Sequence, residues 1–79
     1  MVRLKNIQNN EGIAKCDFYP EDSKKPGRLV VDINTEKTLR ADMPEGYEWR
    51  GTYVVHAKKA LLEAIKEGSI PEERLVMWY

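Results

Sequence analysis

Residues 52–68 read TYVVHAKKALLEAIKEG and decide the fold, because they carry a clear helical period. An advance of 100° per residue places seven apolar side chains on one broad face. Thr52 is suited to cap the amino end of this helix, and Gly68 is suited to end it in a left-handed conformation. The predicted amphipathic helix has an apolar face made of Tyr53, Val54, Ala57, Ala60, Leu61, Ala64 and Ile65.

Ahead of this helix, residues 2–19 alternate between apolar and polar side chains, which predicts a β-hairpin. Gly12 lies in the turn-forming stretch between the two halves of the hairpin. The second half sets Ala14, Cys16 and Phe18 against polar neighbours. We therefore expect these three side chains to face the core.

A second hairpin is predicted over residues 28–43, which again alternate. On its returning strand we expect Leu39, Ala41 and Met43 to face the core. In the loop that precedes it, Gly27 follows a proline and fits the third position of a type II turn, where φ is positive.

The final five residues, LVMWY at 75–79, are rich in strand-forming side chains. A segment of this kind after a helix commonly returns to the sheet, so we expect a fifth strand here. The predicted order is β-β-β-β-α-β in a single α+β domain of residues 1–79. Its mostly antiparallel sheet has four or five strands, and one helix packs on one face.

The composition limits the possible functions. The 79 residues carry 13 basic and 13 acidic side chains, so the formal net charge is zero, which disfavours strong non-specific binding to nucleic acid. A single cysteine excludes an internal disulfide and a multi-cysteine zinc site within one chain. Without a signal-like first segment or an apolar run of about 20 residues, we expect a cytoplasmic protein that does not bind membranes.

Three segments resemble a known group of proteins. DFYPEDS at 17–23, HAKKAL at 56–61 and VMWY at 76–79 are together similar to short uncharacterised proteins of anaerobic Gram-positive bacteria. The resemblance spans nearly the whole chain and implies a bacterial, cytoplasmic protein. It implies no activity, cofactor or partner.

Two side chains could carry nucleophilic or acid–base chemistry. His56 is the sole histidine and lies roughly in line with Glu63 and Glu67, so a carboxylate could orient it as a base. The remaining parts of a catalytic constellation are missing, which favours a residue at the border of the helix's apolar face. Cys16 could be a nucleophile, but its expected core position favours an inert, buried thiol.

Charged side chains are interleaved on the predicted strands. The acidic set is Asp17, Glu21, Asp22, Asp32 and Asp42, and the basic set is Arg3, Lys5, Lys15, Arg28 and Arg40. The acidic residues follow no calcium-loop spacing, so we expect cross-strand ion pairs and neither metal nor cofactor. A basic sheet with aromatic side chains can bind single-stranded nucleic acid, but the interleaved acidic residues argue against it.

Six side chains are candidates for an interaction surface: Tyr47, Trp49, Val55, Leu62, Trp78 and Tyr79. Tyrosine and tryptophan are over-represented at binding hot spots, although in a small domain they also complete the core. Val55 and Leu62 are seven residues apart, on a stripe that we expect to be exposed opposite the main apolar face. This pair would form a dimer contact, seat the C-terminal segment, or have no role.

These observations lead to three hypotheses. The first is a non-enzymatic module that binds a protein partner, or a second copy of itself, through an edge strand, the open sheet face or the aromatic tail. The second is an accessory protein associated with nucleic acid. The third and weakest is a small enzyme that uses His56.

Overall fold

The structure is a computed structural model that describes residues 1–21, 23–47, 51–68 and 73–76. Its elements in chain order confirm the predicted order and the α+β class. They are β1 (Val2–Asn10), β2 (Ile13–Pro20), β3 (Gly27–Asp32), β4 (Thr38–Asp42), α1 (Thr52–Glu67) and β5 (Glu73–Val76).

The five strands form one antiparallel sheet in the order β4-β3-β2-β1-β5. β5 returns beside β1, with Val76 opposite Val2, so the predicted fifth strand is confirmed at Leu75 and Val76 and begins two residues earlier than predicted, at Glu73. The rest of the predicted strand, residues 77–79, lies outside the described residues. This order leaves β4 and β5 as the two edges of the sheet.

The core lies between α1 and the sheet face that it covers. Ala14, Cys16 and Phe18 of β2 are buried there, as the alternation predicts, and Leu29 of β3 is fully buried beside them. Small side chains such as Ala57 on the buried face of α1 allow the helix to approach the strands closely. α1 packs mainly over β1 and β2, the centre of the sheet.

The two ends of α1 differ in how well the sequence predicts them. Gly68 has a φ of 72°, and its N–H donates to the Ile65 carbonyl at 3.2 Å, so the predicted left-handed end is confirmed. The prediction that Thr52 caps the amino end is wrong. Gly51 occupies the cap with helical angles (φ −60°, ψ −19°), and because it has no side chain it forms no side-chain capping hydrogen bond. Thr52 is already the first helical residue.

The type II turn predicted at Gly27 is also wrong. Gly27 has no positive φ and is the first residue of β3, opposite Phe18 of β2. A Cβ atom at Gly27 would lie 2.5 Å from Phe18 Cζ and would also collide with the Asp42 carbonyl oxygen. Glycine is needed here because two neighbouring strands approach its Cα closely.

The second hairpin forms, but its outer strand does not face the core as predicted. All five residues of β4 are exposed, including Leu39 and Ala41, whereas Met43 just beyond the strand is half-buried against the core. A helix is ~10 Å across and strands are ~4.8 Å apart, so one helix covers two or three strands. Because α1 lies over β1 and β2, it does not reach β4.

Candidate interaction surface

The aromatic candidates are only partly within the described residues. Tyr47 is half-buried, packs against the core, and meets Tyr53 edge-to-face with ring centroids 5.8 Å apart at 80°. Tyr47 therefore helps to close the core beside the start of α1. Trp49, Trp78 and Tyr79 lie outside the described residues, so their interaction role stays a prediction.

The two aliphatic candidates on α1 are not an exposed pair. Val55 is 65% exposed, whereas Leu62 is 7% exposed and belongs to the core. The prediction that both side chains lie opposite the apolar face is therefore wrong for Leu62. The buried face of α1 is wider than the sequence-based face, because the helix contacts β3 as well as β1 and β2.

Val55 and Leu62 nevertheless border the same groove, which runs between α1 and the end of the β3–β4 hairpin. The groove has a volume of about 540 Å³. Val54, Val55 and Leu62 provide its apolar wall on the helix, and Glu36 and Thr38 line it on the hairpin side. One apolar flank of α1 thus faces open space above the exposed strand β4.

The acidic and basic side chains around this groove differ in whether they form ion pairs. Lys58, Lys59 and Lys66 line it, and none of them forms an ion pair with a described residue. Glu63 also lines it, but Arg74 of β5 lies 3.6 Å from this carboxylate. The lysines therefore give the helix side of the groove a positive character.

The edge of the sheet at β4 is exposed along the whole strand. Its largest apolar side chain, Leu39, is 56% exposed. An ion pair between Arg40 and Asp42 runs along the strand on the face opposite α1. A bulge separates the Val30–Arg40 and Val31–Thr38 pairs, so β4 is regular only from Arg40 onward.

The outward-facing backbone groups of β4 can be located from its contacts with β3. The Asp42 carbonyl oxygen lies against Gly27 and therefore points toward β3. Successive residues of an antiparallel strand direct their N–H and C=O groups to alternate sides. The N–H and C=O of Ala41 consequently point away from the sheet, where no strand among the described residues pairs with them and another strand could.

The open face of the sheet, away from α1, is charged and largely self-paired. Arg3 and Lys5 lie over the Tyr19 ring at 5.3 Å and 5.6 Å from its centroid. Asp17 accepts a hydrogen bond from Asn6 at 2.7 Å and pairs with Arg28 at 3.4 Å. With its ring covered by cations, Tyr19 does not present a free stacking surface for a base.

The residues proposed for chemistry lie on different elements, Cys16 on β2 and His56 on α1. Cys16 is buried, and burial together with the nearby charge of Asp17 raises the pKa of its thiol to about 12. It is therefore protonated at neutral pH and behaves as the predicted core cysteine. His56 is half-buried on α1 and does not line the groove. Within the described ranges, no three histidine, cysteine or carboxylate side chains are grouped to hold a metal ion.

The sequence interpretation missed the edge residues of β4. Leu39 and Ala41 alternate with charged residues, and this pattern predicts a core-facing strand. The number of elements could have indicated this exposure. A single 16-residue helix cannot cover five strands, so an edge strand must be left open.

No protein-family model, curated protein or solved structure matches the chain. The resemblance to short bacterial proteins therefore stays a prediction. Among the described elements, no helix combines the length and the apolar content that a membrane crossing requires.

Proposed function

We propose that this protein is a non-enzymatic protein-interaction module that binds a partner strand along the edge of β4. The observation that carries the proposal is the exposed, regular stretch from Arg40 onward, with the backbone groups of Ala41 directed outward. Addition of a strand to such an edge is a common mode of peptide recognition, in which main-chain hydrogen bonds give the affinity.

The surroundings of β4 supply further contacts for a partner. Leu39 on the strand and Val55 on α1 are both large, apolar and more than half exposed. The groove between α1 and the hairpin lies next to the strand and carries three lysines that form no ion pair with a described residue. A bound segment that extends past the edge of β4 would reach this groove, where apolar and acidic side chains would be accommodated.

Capture from a lysate of the source organism tests the proposal when wild type is compared with Ala41→Pro. Proline removes the outward N–H and is tolerated at the edge of a sheet, so the variant should fold while losing the partner. Leu75→Ala is the matched control, because Leu75 is 52% exposed on the opposite edge strand. Circular dichroism checks that both variants fold.

We expect wild type and Leu75→Ala to retain the same protein in stoichiometric amount after nuclease treatment, and Ala41→Pro to lose it. Equal capture by all three proteins would contradict the proposal, because the partner would then bind elsewhere. A capture that disappears with nuclease would instead support the hypothesis of a nucleic-acid-associated protein.

A further inference from the structure

We propose that the strand bound at β4 is the β4 strand of a second copy of this chain. This inference rests on the proposed use of the β4 edge and names its partner. The two strands would run antiparallel about a twofold axis perpendicular to the sheet, with Ala41 of each copy at the axis. Two five-stranded sheets would then join into one continuous sheet.

Charge complementarity selects this register. With Ala41 opposite Ala41, Arg40 of each copy lies opposite Asp42 of the other, and both pairs stand on the open face of the sheet. Each of the four charges then has an opposite charge next to it along its own strand and another across the new strand pair. Opposite charges in directly facing positions stabilise a strand pair, whereas like charges destabilise it.

Neighbouring registers lose this complementarity. Centring the axis on Arg40 sets two arginines against each other, and centring it on Asp42 sets two carboxylates against each other. The registers centred on Arg40 and Asp42 keep the faces of the two sheets aligned, so charge is what distinguishes them from the register centred on Ala41. Centring the axis on Leu39 would put it at the bulge and bring Asp42 opposite Glu36, which lies in the turn before β4 and not in the strand.

The backbone and the apolar side chains fit the same register. The outward N–H and C=O of Ala41 face the corresponding groups of the second Ala41, as a hydrogen-bonded antiparallel pair requires. The exposed Leu39, at the bulge, would lie near Met43 of the second copy, which places two apolar side chains at each end of the contact. The bulge of β4 precedes Arg40 and therefore lies outside the central stretch.

Edge strands are often protected by charge, and β4 carries two charged side chains. Protection by charge requires that a second copy meet a charge of the same sign. Arg40 and Asp42 are of opposite sign and two residues apart, so they attract a second copy in the register centred between them. The pattern does not protect this edge against self-pairing.

Sedimentation equilibrium of the full chain, from about 1 µM to about 1 mM, provides the test. We expect the wild-type mass to rise from 9.2 kDa toward twice that value.

Charge variants test the register. Arg40→Asp and Asp42→Arg each place two pairs of like charges opposite one another across the dimer. Each should raise the midpoint concentration about tenfold or more. An equimolar mixture of the two variants, and the double variant, should regain dimerisation because both restore opposite charges.

A cross-linking experiment checks the register independently. Mild oxidation of Ala41→Cys should give a disulfide-linked dimer, because facing Cα atoms of a strand pair lie ~5.5 Å apart, within disulfide reach. Thr38→Cys is the control and should stay monomeric, because the two Thr38 positions would be ~20 Å apart. The native Cys16 is buried and does not interfere.

Three results would overturn the inference: a wild-type chain that stays monomeric to about 1 mM, single-charge variants that dimerise like wild type, or equal cross-linking at the two cysteine positions. A monomeric wild type with a captured partner that Ala41→Pro loses would leave the proposed function standing and remove only the self-pairing. A monomeric wild type without such a partner would remove both.

Discussion

Gly27 and Phe18 lie face to face on β3 and β2, so close that a Cβ atom on Gly27 would be 2.5 Å from Phe18 Cζ. The Phe18 ring is fully buried and cannot move aside without disturbing the core. The backbone of β4 closes the other side of the same glycine through the Asp42 carbonyl. This contact therefore holds three strands at a fixed spacing.

Replacing Gly27 with alanine should be destabilising. Overpacking of a well-packed site typically costs about 1–3 kcal/mol, and here both neighbours are rigid, so we expect Gly27→Ala to lower the free energy of unfolding by about 2–3 kcal/mol. Gly51→Ala is the control, because no atom of the described residues lies within 4 Å of its Cβ position and its φ is −60°. Its effect should stay within about 0.5 kcal/mol in urea denaturation. Equal effects of the two substitutions would contradict the packing account.

Truncation of Leu62 and of Val55 to alanine should change the stability by unequal amounts. Two equally exposed side chains would give equal effects. Leu62→Ala removes a buried side chain, so we expect a loss of about 2–4 kcal/mol. Val55→Ala removes an exposed side chain and installs a better helix former, so stability should change by less than about 0.5 kcal/mol. Urea denaturation of both variants measures the difference. A small effect at Leu62 would show that its side chain is not held in the core.

The strands that lie under α1 could be predicted from sequence, because alternation reports burial wherever a second layer covers the sheet. Ala14, Cys16 and Phe18 follow this rule. Leu39 and Ala41 show the same alternation but are exposed, since the pattern does not state how far a single helix reaches. Periodicity thus predicts which side chains share a face, whereas the width of the covering layer decides whether that face is buried.

Local sequence patterns also do not predict features that depend on which elements are neighbours in space. Gly27 follows a proline, and that dipeptide indicates a turn, yet the structure uses this glycine for a close approach between strands. Val55 was predicted to be exposed, and it is. Across the groove from Val55 lie Glu36 and Thr38 at the end of the β3–β4 hairpin, and the sheet order that places this hairpin there is absent from local sequence patterns.

Tyr53 connects the start of α1 to the end of β2 through its hydroxyl group. It donates to Glu21 Oε1 at 3.0 Å, and the Met1 amino group donates to the same oxygen at 2.9 Å. Because the Tyr53 side chain is buried, we expect Tyr53→Phe to lower the free energy of unfolding by about 1 kcal/mol.

Tyr19→Phe is the control for the Tyr53 substitution. Among the described residues its hydroxyl has no hydrogen bond, and phenylalanine keeps the ring under Arg3 and Lys5. A loss at Tyr19 that equals the loss at Tyr53 would contradict the role of the Glu21 contact.

Cys16 should resist thiol reagents in the native protein. It is buried between Ala14 and Phe18, and its pKa is about 12, so both access and thiolate formation are suppressed at pH 8. We expect labelling by a disulfide reagent to be slow without denaturant and rapid in urea. Because Cys16 is the single cysteine of the chain, the labelling is unambiguous. Rapid native labelling with intact circular dichroism would show that the thiol is accessible.

The same thiol makes stability depend on pH in the alkaline range. Burial, and secondarily the charge of Asp17, raises the pKa of Cys16 from 9.0 to about 12 in the folded state. Below pH 9 the thiol is protonated in both the folded and the unfolded chain and has no effect on the pH dependence. Between pH 9 and about 12 only the unfolded chain releases the proton, so stability falls as pH rises, by up to about 1.4 kcal/mol per pH unit. Cys16→Ala lacks this titration, and its stability should fall less steeply from pH 9 to pH 10.5. Parallel slopes for wild type and Cys16→Ala in urea denaturation would contradict the raised pKa.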